Sequence, residues 1–153
     1  QLAAFQADVD ALGVRDAYLL TYAIDRAGTR AYYSVFIDRY RDEEAATAAF
    51  AGLEARRRAN ADFPVASFEP GVPATGDASA TYVVTDAATG FLTTTSATRI
   101  DDIVVTIRIF ETTAPLPATT QSLLLSQIAC VEAGSCIEPI PVPPEIVPAE
   151  PRS

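Results

Sequence analysis

The chain contains no histidine, no methionine and no tryptophan, and all 11 of its basic residues are arginine, so it has no lysine either. Without histidine, the commonest general base near neutral pH and the commonest zinc ligand are missing. Without lysine there is no Schiff-base nucleophile and no P-loop lysine. Those gaps remove whole reaction classes, and neither catalysis nor a cofactor is expected. Long apolar runs are missing too. None approaches the roughly 18 residues of a membrane span, and the best candidate, 103–110, is interrupted by Thr106 and Arg108 in the manner of a strand. Direct membrane insertion is not expected.

What is present is one domain's worth of chain. Its 153 residues are 49% hydrophobic, enough to bury a sizeable core. The net charge of −9 disfavours nucleic acid and anionic membranes as partners. The one dense basic cluster, Arg56-Arg57-Arg58, falls near the end of a predicted helix, where it opposes the negative end of the helix dipole. Gln1 is not an initiator residue, so the N-terminus is expected to have been trimmed, by natural processing or by design.

Two cysteines remain, Cys130 and Cys136. A C-x5-C pair without histidine or further cysteine is a poor metal site and lacks the C-x-x-C redox spacing. A local disulfide is the expected reading, and it implies export. So short a loop contributes only about 2 kcal/mol and serves to pin the exit of the last helix.

Hydrophobic periodicity orders the rest. Leu2, Phe5, Val9 and Leu12 share one helical face that Gly13 can stop. Residues 17–25 and 31–39 alternate as two strands of a hairpin. Asp42 is suited to cap a helix with an apolar face of Ala46, Ala49, Phe50 and Leu53, ending near Asn60. A short strand at 65–68 precedes a meander of three strands, 80–85, 91–100 and 103–111, turning at 86–90 and at Asp101-Asp102. Pro115 and Pro117 introduce a final helix with Leu124, Ile128 and Val131, stopped by Gly134. Adjacent strands on short turns predict an α+β fold: a mainly antiparallel sheet with its helices packed on one face.

Residues 1–136 form that single domain and residues 137–153 a tail. Six of the chain's 11 prolines lie in the tail, which favours extended polyproline II over helix. A solvated linker would be rich in Ser, Gly or Glu, yet this one carries Ile137, Ile140, Val142, Ile146 and Val147. Those side chains are the candidate partner-binding residues. Pro139, Pro141 and Pro143 limit ladder bonding, so docking in a groove is favoured over a full added strand.

Candidate chemistry is thin. Asp101-Asp102 is the tightest carboxylate pair, with Asp38 and Asp42 next, but adjacent aspartates in a turn point apart and read as turn formers. Glu69 and Asp77 are too few oxygens for calcium. Thr93-Thr94-Thr95-Ser96 reads as an exposed β-branched strand. Tyr18, Tyr22 and Tyr33 are candidates to line a shallow ligand pocket, against the plainer alternative of core packing.

Three segments, A-T-A-A-F-A-G-L at 46–53, G-D-A-S-A-T-Y at 76–82 and R-I-D-D-I-V-V-T-I at 99–107, give the chain a loose similarity to bacterial surface lipoproteins and receptor ectodomains. That resemblance implies an extracytoplasmic domain that binds or senses. The chain departs from the lipoprotein pattern in lacking an N-terminal lipidated cysteine. Two functions are expected from these readings. The first is an extracellular assembly subunit whose tail docks on a neighbouring copy or another surface protein, forming an array or filament. The alternative is a monomeric ligand-binding or sensor domain with the tail docked in cis or used as a spacer.

Overall fold

The computed structural model describes residues 11–26, 29–59, 65–70, 76–134 and 146–148. In chain order these form β1 (Val14–Arg26), β2 (Thr29–Tyr40), α1 (Glu43–Arg58), β3 (Val65–Pro70), β4 (Ala78–Thr85), β5 (Leu92–Ile100), β6 (Ile103–Thr112), α2 (Pro117–Glu132) and β7 (Ile146–Pro148). The strands make one sheet in the order β3-β4-β5-β6-β2-β1-β7, antiparallel at every pairing. The fold is therefore α+β on a mainly antiparallel sheet. The predicted N-terminal helix lies mostly outside the described residues. Its last positions, Ala11 and Leu12, are helical, and Gly13 follows at φ +73°, the left-handed geometry that ends a helix at least cost in glycine.

Local chemistry explains the element ends. Asp42 accepts a hydrogen bond from the Ala45 amide at 2.8 Å, satisfying an otherwise orphaned donor of α1. Pro117 opens α2, where its missing amide hydrogen costs nothing. The β5–β6 turn is two residues long, and Asp101 takes the positive φ of 49° that such turns require. Asp77 accepts from the Asp101 amide at 3.0 Å, and Arg99 joins Asp77 and Glu43. Asp102 pairs with Arg39 at 3.0 Å. The Asp101 backbone and the Asp102 carboxylate thus hold this end of the sheet.

The helices do not share a face of the sheet. Along β6, Val105, Ile107 and Ile109 join Tyr33, Val35, Leu124 and Ile128 in one cluster beneath α2. The alternate residue Val104 packs instead with Tyr40, Ala45, Ala46 and Ala49 beneath α1. Since successive strand side chains point to opposite sides, α1 and α2 lie on opposite faces. Connectivity supplies the reason. The β2–β3 connection must pass over β6, β5 and β4, and it uses the face opposite to the one α2 covers. Apolar stripes on the helices specify that each buries a side, not which side.

The threonine-rich strand is also buried rather than exposed. Thr94, Ser96 and Thr98 are buried on the α2 face, each with a hydrogen-bond partner. Ser96 shares hydrogen bonds with Thr81 at 3.0 Å and Thr120 at 2.8 Å, and Thr94 accepts from the Leu116 amide. Pairing makes this burial tolerable, since an unpaired hydroxyl there costs about 1–3 kcal/mol.

Of the tail, β7 pairs its backbone with β1 in the same chain, Val147 opposite Ala23. Ile137, Ile140 and Val142 lie outside the described residues. Cys130 sits half-buried near the end of α2, while Cys136 lies outside the described residues.

Candidate ligand cavity

The three tyrosines singled out from the sequence lie on the α2 face. Tyr22 is opposite Tyr33 in the β1–β2 register, and the rings stack with centroids 5.5 Å apart. Tyr33 is buried, and loss of water pushes its hydroxyl pKa well above the ordinary value, as befits a core residue. Tyr18, by contrast, is 51% exposed. These rings do not line the cavity described next, which occupies the other face of the sheet.

That cavity, of about 570 Å3, opens between α1 and the sheet. Its volume falls within the roughly 300–1,000 Å3 range of small-molecule sites. The sequence shapes it by what it places on the α1 face of each strand. Ala17 on β1 and Thr106 on β6 are small, so helix and sheet cannot close over them. Val14, Val104, Phe50 and Leu53 provide apolar walls, and Leu12, 40% exposed, stands at the rim.

The charged lining is asymmetric. Arg56 and Arg57 come from the last turn of α1, Arg108 from β6, and Asp38 from β2, giving three cations against one carboxylate among the described residues. Arg56 is partly committed, donating to the Ala49 carbonyl. Arg57 lies over the Tyr82 ring at 5.8 Å and Arg108 over the Phe36 ring at 4.4 Å, so both guanidinium groups rest on aromatic faces. The Arg108 Nε is buried and has no hydrogen-bond partner among the described residues.

Electrostatics follow from that packing. Burial, then the nearby Arg57, pull the Arg108 pKa below its usual value, while Tyr82 and Asp38 favour the cation. Burial pushes the Asp38 carboxyl up, and Arg108 draws it partway back. Two like charges held together in a partly dry wall, with one reluctant carboxylate nearby, favour an added anion. Among the described residues no three carboxylate, cysteine or histidine side chains gather as a metal site.

Arg56, Arg57 and Arg58 stand at the helix terminus, as their position in the sequence predicts. That two of them turn toward a cavity, and that Arg108 joins them there, is not predicted by the sequence. The available signal was an arginine in the apolar strand I-V-V-T-I-R-I-F, out of phase with the isoleucines. Of the carboxylates considered earlier, Asp42 caps α1 and Asp38 lines the cavity, so they do not form a catalytic pair.

No family model matches the sequence, and no curated protein matches it. The fold is similar to the crystal structure of the extracellular domain of PknH from Mycobacterium tuberculosis, with a TM-score of 0.56 and 9% identity. The alignment covers 81% of this chain and 69% of that one. At so low an identity, the likeness concerns the fold.

Among the described residues no helix is long and apolar enough to cross a membrane.

Proposed function

We propose that this chain is a non-catalytic, exported ligand-binding domain of the sensor type, and that the cavity between α1 and the sheet is its binding site. The observation that carries the reading is the cavity's combination of apolar walls and an arginine cluster that outnumbers the carboxylates of the described lining, in a protein of net charge −9. A fold similar to an extracellular domain supports the exported setting. A disulfide between Cys130 and Cys136 belongs to the same proposal. Among the described residues Asp38 is the only carboxylate in the cavity lining, and acid–base chemistry there would have one member.

The assembly reading has less behind it. The tail strand β7 pairs within its own chain, which leaves docking on a neighbour without a supporting contact.

A thermal-shift panel of sugars, amino acids, peptides and charged or neutral amphiphiles tests the proposal. Wild type is compared with Ala17→Trp, which fills the cavity from an exposed lining position. The expected result is a compound that raises the Tm of wild type and leaves the filled variant unmoved. Equal shifts in both proteins, or none in either, contradict the proposal.

A further inference from the structure

We infer that the cavity takes an amphiphilic anion: one carboxylate or phosphate head on an aliphatic body. This deepens, and rests on, the proposed binding role of the cavity. The head is assigned by the arginines. Arg57 from α1 and Arg108 from β6 line the same cavity, and Arg57 disfavours the Arg108 cation. The Arg108 Nε is buried and unpartnered among the described residues. A planar or tetrahedral oxyanion between them meets a guanidinium fork and removes the mutual repulsion. An ammonium head would meet the same cations as a like charge.

The body is assigned by the apolar part of the lining. Val14, Val104, Phe50 and Leu53 offer no polar atom from their side chains, and a hydrophilic ligand would lose water there without replacement bonds. The rim supports the same assignment. Leu12 is 40% exposed, and Leu19 on β1, two residues from Ala17 and on the same face, is 56% exposed. An aliphatic chain leaving the cavity over Ala17 would cover both. Asp38 sets a limit on affinity, since its carboxylate opposes a second anion beside Arg108.

The test is a calorimetric titration of the full chain below the micelle-forming range of each probe. Decanoate and decyl phosphate carry the anionic head, decanol and decyltrimethylammonium replace it, and inorganic phosphate supplies the head without a body. Decanoate or decyl phosphate should bind about tenfold or more tighter than decanol and decyltrimethylammonium, with inorganic phosphate weaker still. The preferred head separates a free fatty acid from a phospholipid-like source. Arg57→Ala should weaken binding severalfold, Arg57→Lys less, and Asp38→Asn should tighten it. Equal binding of decanol, lost in Ala17→Trp, overturns the anionic class while the cavity remains a binding site. Binding that survives Ala17→Trp places the ligand elsewhere and overturns both ideas. Failure of all the ten-carbon probes overturns the amphiphile assignment, and the wider panel then decides whether the cavity binds at all.

Discussion

The two faces of this sheet are built from the same strands by alternate residues, yet they are different kinds of surface. Under α2, β-branched and tyrosine side chains interlock, and each polar intrusion has a partner. Ser96 and Thr120, both fully buried, satisfy each other. Under α1, the helix contributes mainly alanines to the interface, the strands contribute Asp38, Thr106 and Arg108, and a cavity remains. A filled face supplies stability and leaves the other free to be underpacked and charged. That division is common where a rigid scaffold carries a binding site.

The sharpest way to break the comparison is to truncate matched positions on β6. Ile107→Ala, on the α2 face, should lose about 2–5 kcal/mol in urea unfolding, by removal of buried atoms and the cavity left behind. Thr106→Ala, one residue away but lining the existing cavity, should lose about 1 kcal/mol or less. Similar losses at both positions would mean that the two faces are packed alike.

Next in size is the hydroxyl network. Thr120→Val keeps the shape of the side chain but removes the partner of the Ser96 hydroxyl, and should cost about 1–3 kcal/mol. A neutral result would mean that Ser96 is satisfied by Thr81 alone.

Smallest is the pH response of Asp38, where sign is the test. Burial raises its folded pKa above the unfolded value, so the native chain binds more protons between the two. The stability tied to neutral Asp38 is full below the unfolded pKa of about 3.9 and is lost as pH rises through the folded value. Stability curves of wild type and Asp38→Asn should therefore separate in the variant's favour on going from acid to neutral pH. Separation in the opposite direction would place Asp38 in a stabilising ion pair.

Much of the frame was legible in the sequence because it rests on local rules. The alternation in 17–25 and 31–39, the cap at Asp42 and the stop at Gly134 each depend on a few neighbouring residues, and all appear in the structure within a few positions. The side of the sheet that each helix covers was not legible, because a crossover's path is a property of the whole topology. The burial of Thr94 and Ser96 escaped for a related reason. Their composition suits a solvent face, and only α2, contributing Thr120 from beyond the next strand, makes them interior. The cavity was hidden furthest. It needs Arg57 from α1 and Arg108 from β6 to line one space, and no spacing in the chain announces that.

The most direct test of the central claim is an amide chemical-shift titration of the labelled full chain with decanoate. The account predicts shifts clustered at Ala17, Leu53, Arg57 and Arg108, with Leu124 and Ile128 under α2 unmoved. Shifts confined to Tyr18, Tyr22 and the α2 face, with the α1 face silent, would contradict it.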